Sequence, residues 1–161
     1  MESENTVLAE KIVNALIKQK KWLATAESCT GGLIAAHITS IAGSSQCFGY
    51  GVVTYSNEAK NHLISVTEES LTNWGAVSSQ VAEQMARGVQ SISDADIGIA
   101  VTGIAGPGGG SVEKPVGLVY IGVIAGEDIL IVKNNFSGTR ADIRNATVHK
   151  ALSLVLECLE K

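Results

Sequence analysis

Trp22-Leu23-Ala24-Thr25-Ala26-Glu27-Ser28-Cys29-Thr30-Gly31-Gly32-Leu33-Ile34, continuing to Ile41, holds a strand, a tight turn and a helix in succession. Trp22 to Ala26 reads as the short strand. Leu33, Ile34, Ile38 and Ile41 recur at helical spacing. Glu27 to Gly32 is then a strand-to-helix junction, the first half of an α/β unit. The pattern repeats outward from this point. Ala42-Gly43-Ser44-Ser45 ends the helix, and Phe48 to Tyr55 reads as the next strand. Upstream, Thr6 to Lys20 is an amphipathic helix with Asn5 or Thr6 as its cap.

Downstream, Ser56 or Asn57 caps a short helix through Ile64, Glu68 to Trp74 makes a further helical turn or two, and Ser78 caps a helix presenting Val81, Met85 and Val89. Ile97 to Val101 is an apolar strand that breaks into Thr102-Gly103-Ile104-Ala105-Gly106-Pro107-Gly108-Gly109-Gly110. Val116 to Ile124 and Ile129 to Phe136 read as a hairpin pair. Thr139-x-x-Asp142 opens a long last helix, in a capping-box pattern. Strands alternating with helices, plus one hairpin, predict an α/β fold: a three-layer α/β/α sandwich with a mixed, mostly parallel sheet, in a single domain over 1–161. Sites in such sheets lie on the loops beyond the strand ends.

Composition narrows the function classes. Lys and Arg number 12 against 16 Asp and Glu, a formal net charge of −4. That balance argues against a nucleic-acid partner bound through a basic face. No apolar run approaches the ~18 residues of a membrane span, and Met-Glu-Ser-Glu lacks the features of a signal peptide. Three cysteines, Cys29, Cys47 and Cys158, are an odd number at wide spacing, which suits reduced thiols and a cytoplasmic location. No metal-ligand spacing occurs, so no metal site is expected. A mean hydropathy of +0.22 is compatible with a buried interface between two copies, as in a homodimer. Glycine stands out, with 17 residues where average usage of about 7% gives roughly 11.

The glycines cluster where chemistry is expected. Ser28 at a strand-to-helix junction lies beside helix N-terminal N–H groups that can stabilise an oxyanion, and Gly31 and Gly32 open the backbone to a substrate. The plain alternative is an N-cap serine with packing glycines. A nucleophilic serine needs a base, and no motif surrounds His37, His62 or His149. Lys60 is the other candidate: capped by Ser56 or Asn57, its helix places it near the positive end of the dipole, which favours the free amine. Tyr55 could orient the pair. An exposed lysine is the ordinary alternative. The Thr102–Gly110 loop offers successive N–H groups to an anion, or is simply a flexible turn. Arg140 and Arg144 share a helix face and point to an anion or carboxylate, or to solvated ion pairs.

Seven segments together resemble the CinA C-terminal domain family, the nicotinamide-nucleotide amidohydrolases. They are Ala26–Gly32 (AESCTGG), Ile41–Ser45 (IAGSS), Val53–Lys60 (VTYSNEAK), Gly75–Ser78 (GAVS), Thr102–Gly110 (TGIAGPGGG), Glu113–Gly117 (EKPVG) and Phe136–Arg144 (FSGTRADIR). The resemblance spans nearly the whole chain and is to the stand-alone form, without the extra N-terminal domain of larger members. It implies hydrolysis of the carboxamide of nicotinamide mononucleotide, with Ser28 as nucleophile, Lys60 as base and Tyr55 as a supporting hydroxyl. Thr30, Gly31, Gly32, Thr102, Gly103 and Gly106 would line the substrate pocket, with Ser45 and Arg140 as further contacts. No cofactor is implied. The rival expectation is a non-catalytic nucleotide-binding regulatory module using the same pocket.

Overall fold

The computed structural model describes residues 2–161. In chain order the elements are α1 (Glu2–Gln19), β1 (Leu23–Glu27), α2 (Leu33–Thr39), a 3₁₀ turn (Ser44–Gln46), β2 (Phe48–Val53), α3 (Asn57–Ile64), α4 (Glu68–Trp74), α5 (Ser79–Ser93), β3 (Ile97–Gly103), β4 (Leu118–Ala125), β5 (Asp128–Asn135) and α6 (Arg140–Leu159). The strands form one mixed sheet in the order β2-β1-β3-β4-β5. β2, β1 and β3 pair in parallel, and β4 pairs antiparallel with both β3 and β5. Every strand except β4 therefore points the same way.

Alternation along the strands divides the core in two. Leu23, Ile97, Ile99, Val101, Val119, Ile121 and Val123 face α1, α2 and α6, where Ile12, Leu16, Ile34, Val148 and Leu152 pack on them. Ala24, Ala26, Ala100 and Ile124 face α5, which contributes Val81, Met85, Ala86 and Val89. The second face is lined with small residues, and the backbone of α5 uses the space. A Cβ on Gly98 would lie 2.5 Å from the Ala86 carbonyl oxygen, and one on Gly122 would lie 2.9 Å from that of Ala82. This is the predicted three-layer arrangement.

Caps agree with side-chain chemistry at α3, α5 and α6, where Ser56, Ser78 and Thr139 accept from the third residue on, and Thr139 and Asp142 complete a capping box. The expected cap of α1 is a correction. The helix already runs through Asn5 and Thr6 from Glu2, and Asn5 is fully buried with its Oδ1 3.0 Å from His149 Nδ1. Tertiary contact with α6 extends the helix past the residues that local propensity marks as its start.

Candidate active site

β1 and β3 are adjacent and parallel, so their carboxyl ends open side by side. Ser28 is the first residue beyond β1, and its N–H is still held by the Val101 carbonyl at 3.0 Å. The chain then turns through Gly31 (φ +58°) and Gly32 (φ +103°), left-handed values that cost glycine little. Helix α2 begins only at Leu33, so Ser28 is not its N-cap. The N-cap position is Gly32, which has no side chain to cap with, and Glu27 supplies the acceptors from the end of β1. Its buried carboxylate accepts from Thr30 Oγ1 (2.6 Å), Ile34 N–H (2.9 Å) and Ala35 N–H (3.0 Å). The expectation that α2's N–H groups remain open beside Ser28 is thus corrected, because Glu27 occupies two of them. Among the described residues, no oxygen accepts from the Cys29 and Thr30 N–H groups, which lie earlier in the turn.

Lys60 comes from α3, one turn beyond its Ser56 cap, and is 1% exposed. Its Nζ lies 3.0 Å from Ser28 Oγ, 2.7 Å from the Thr54 carbonyl oxygen and 3.4 Å from that of Tyr55. No carboxylate among the described residues pairs with it. Burial lowers its pKa from 10.5 to about 8. The sequence suggests a helix dipole as the cause, whereas desolvation is the largest contribution here. A neutral amine has two hydrogens and one lone pair. Carbonyl oxygens can only accept, so Thr54 and Tyr55 take the hydrogens and the lone pair is left for the Ser28 hydroxyl. The neighbouring Cys29 thiol is pushed up to about 11, chiefly by burial, and stays protonated.

The pair opens onto a cleft of about 220 Å³ lined by Ser28, Cys29, Tyr55, Lys60, Ala76, Val77, Thr102, Gly103, Ala105 and Arg140. Thr102 is buried and donates to the Ala76 carbonyl at 2.8 Å, which ties the end of β3 to the Ala76–Val77 part of the lining. Arg140 is exposed at the mouth. It donates from Nη1 to the Gly106 carbonyl (2.7 Å) and from Nη2 to Tyr55 Oη (3.0 Å), leaving further N–H donors free for an anion.

The expected site residues do not all meet. Ser28, Lys60, Tyr55, Thr102, Gly103 and Arg140 come together at the cleft. Tyr55 offers its main-chain carbonyl to Lys60 and its hydroxyl to Arg140; the hydroxyl is not bonded to Ser28 or Lys60. Gly106 contributes through its carbonyl. Thr30, Gly31 and Gly32 shape the Ser28 turn but do not line the cleft, because the Thr30 hydroxyl is turned inward to Glu27. Ser45 is a correction. It sits in the 3₁₀ turn ahead of Phe48, which pairs with Leu23 at the start of β1, so the length of the strand, roughly 16 Å, separates it from Ser28 within one chain.

The glycine loop is a second correction. Gly103 and Gly106 are required by close approach to Val119 and Val116. Gly108, Gly109 and Gly110 are exposed and lie outside the cleft, so they form no part of its lining. Arg144 does not face an anion either; it donates from Nε to the Cys29 carbonyl (3.2 Å) and from Nη2 to the Thr30 carbonyl (3.1 Å). Glu27, Ala76 and Val77 are site-forming residues that the sequence did not single out, and Arg144 takes a role it did not suggest. Glu27's place inside the Ala26–Gly32 motif was the available signal. No histidine lines the cleft, and among the described residues no group of three His, Cys, Asp or Glu is placed to hold a metal ion. Among the same residues no helix is long and apolar enough to cross a membrane.

The fold and site define a class: a mixed α/β sandwich with a buried serine–lysine pair at the parallel strand ends. A family model for the CinA C-terminal domain matches residues 5–159, and the chain belongs to that family. It is 54% identical over 152 residues to a CinA-like protein of Endomicrobium trichonymphae, covering 94% of this chain but 36% of that relative. The chain thus spans about a third of the length of the curated relatives it matches. Among solved structures it superposes on the competence/damage inducible protein CihA of Agrobacterium tumefaciens with a TM-score of 0.95 at 46% identity, covering 98% of this chain and 96% of that one. A CinA superfamily protein of Escherichia coli gives a TM-score of 0.93 at 32% identity, covering 98% and 92%.

Proposed function

We propose that the chain is an amidohydrolase that converts nicotinamide mononucleotide to nicotinate mononucleotide and ammonia, a salvage step for pyridine nucleotides. The observation that carries this reading is Lys60: a buried lysine with no carboxylate partner among the described residues, its amine 3.0 Å from a serine hydroxyl at the strand ends. Burying an ammonium is costly, which brings the neutral amine within reach near pH 8, and a neutral amine beside a hydroxyl is a general base.

The steps follow from that geometry. Ser28 Oγ attacks the carboxamide carbon while its proton passes to Lys60 Nζ. The Cys29 N–H group, on the residue beside Ser28 in the cleft lining, is the donor this reading assigns to the oxyanion. As the tetrahedral intermediate collapses, the C–N bond breaks and Lys60 returns the proton to nitrogen, so ammonia departs. Water then attacks the acyl ester, Lys60 again taking and returning a proton, and Ser28 is regenerated with the carboxylate product. No cofactor enters the scheme. A cleft of about 220 Å³ is below the ~300 Å³ of a typical ligand pocket. It suits the carboxamide-bearing ring, with the ribose phosphate extending to exposed Arg140.

The test is product analysis by anion-exchange chromatography after incubation with nicotinamide mononucleotide, with nicotinamide riboside as the control lacking phosphate. Ammonia and nicotinate mononucleotide are expected, with the riboside turned over far more slowly. Saturable binding without product would instead establish the regulatory-module alternative.

A further inference from the structure

We propose that Arg144 is a positioning residue for the nucleophile: its guanidinium holds the Ser28–Gly32 turn in the shape that presents Ser28 Oγ to Lys60. The inference rests on the reading of Ser28 as nucleophile and adds to it a residue that touches neither substrate nor reacting atoms.

Arg144 lies one helical turn after Arg140 on α6, and the two side chains part company. Arg140 goes to the cleft mouth, whereas Arg144 reaches over Gly31 and donates to two successive carbonyls, Cys29 O and Thr30 O. Its Nη2 would stand 3.5 Å from a Cβ at Gly31, so the guanidinium lies directly against that glycine. The turn closes two backbone bonds within itself, Gly31 N–H to Ser28 O and Leu33 N–H to Thr30 O, at 3.0 and 3.1 Å.

On the inner side Glu27 pins Thr30 Oγ1 and the start of α2. The turn is therefore gripped by a carboxylate taking donors on one side and a guanidinium giving donors on the other. A planar fork bonding two carbonyls fixes orientation as well as distance, which a lysine cannot reproduce. Because a trans peptide sets its N–H opposite its C=O, anchoring the Cys29 carbonyl to Arg144 also turns the Thr30 N–H away from α6. The buried face of the same helix, through Ile143, Val148, Leu152 and Val155, belongs to the core, so the anchor is stiff.

The experiment uses the full chain with Arg144→Ala and Arg144→Lys beside wild type, all checked for folding by circular dichroism. Two readouts are taken: kcat and KM for nicotinamide mononucleotide, and the rate at which an alkyl fluorophosphonate labels Ser28, followed by mass spectrometry. In that labelling Ser28 Oγ bonds to phosphorus, fluoride leaves, and the hydroxyl proton passes through Lys60 to solvent. Misplacing a reacting atom by about 1 Å costs on the order of a hundredfold. Arg144→Ala is expected to lower kcat and the labelling rate together by about that factor, with KM within about threefold, and added guanidinium chloride at low millimolar concentration restores part of both.

Arg144→Lys is expected to fall between, and it carries the test if the alanine variant does not fold. Folded variants that label and turn over like wild type would overturn the inference. So would a raised KM at unchanged kcat, which would make Arg144 a substrate contact. A wild-type chain that the probe never labels at Ser28 would instead sink the reading of Ser28 as nucleophile, a different result from labelled wild type with indifferent variants.

Discussion

The two ends of the sheet differ in a way that cavity size alone would misjudge. At the amino ends of the parallel strands, grooves of about 380 and 500 Å³ are lined by Trp22, Tyr50 and Asp94, and by Lys21, Asp96, Asp128 and Lys161. At the carboxyl ends the cleft is about 220 Å³. Yet the smaller space holds the buried polar side chains that converge: Ser28, Lys60 and Thr102, with Glu27 immediately behind. Parallel strands ending together leave loops that turn back into helices, so side chains from separate loops meet there. Burying polar groups costs free energy unless they are bonded, and a fold that buries several at one point gives up stability there. That convergence, rather than volume, marks the candidate site.

Removing the convergent pair puts this contrast under the most strain. Ser28→Ala and Lys60→Met are each expected to lower turnover of nicotinamide mononucleotide by about 10⁴-fold, and the double variant by no more than either alone, because the two act as a unit. An ammonia-release assay reads this; additive losses would mean that serine and lysine work separately.

The next effect is in pH. Lys60 must be neutral to accept a proton, and its pKa is lowered to about 8. kcat/KM should therefore climb roughly tenfold per pH unit below 8 and level off above it. A profile that falls through this range would assign Lys60 a different protonation state. The same shift bears on stability. The folded pKa lies below the ordinary 10.5, so the unfolded chain binds more protons between about pH 8 and 10.5, and stability should rise with pH across that window. Urea titrations at pH 8 and pH 10 check the sign, and Lys60→Met should lose that contribution.

A smaller effect is expected at the mouth. Arg140→Ala should raise KM for the mononucleotide about tenfold, the equivalent of about 1.4 kcal/mol, and leave KM for the riboside unchanged. Equal losses for both substrates would remove the phosphate contact from the reading. Last, Tyr50→Ala in the larger groove at the other end should leave kcat/KM within about twofold, as for an exposed residue away from the site. A large loss there would show that both ends of the sheet serve the reaction.

Much of this was legible in local patterns. Thr139 and Asp142 announce the capping box of α6, Ser78 the start of α5, and the apolar run Ile97–Val101 the central strand, because caps and side-chain periodicity act within a few residues. Ser28 and Lys60 were visible as residue types in suggestive places. Their 3.0 Å separation was not, since it joins positions 32 residues apart through the pairing of β1 with β2.

The errors have the same origin. Arg140 and Arg144 share a helix face and so look equivalent in sequence, but one reaches Tyr55 and Gly106 at the cleft and the other the carbonyls of the Ser28 turn. Gly31 and Gly103 look alike as members of glycine clusters. One supplies a left-handed turn, and the other makes room for Val119. Ser45 lies in a segment that resembles the family, yet strand direction carries it to the far end of the sheet.

Local spacing and composition were enough for the α/β alternation, the capped helices and the residue types available for chemistry, because each acts over a few neighbouring positions. Three features came from packing alone: Lys60 is buried without a carboxylate among the described residues, Glu27 closes the helix end expected to be open, and Arg144 grips the turn that follows Ser28. Burial and hydrogen-bond partners are properties of which elements pack together, and desolvation of one amine by neighbours distant in sequence is what turns an ordinary lysine into a candidate base.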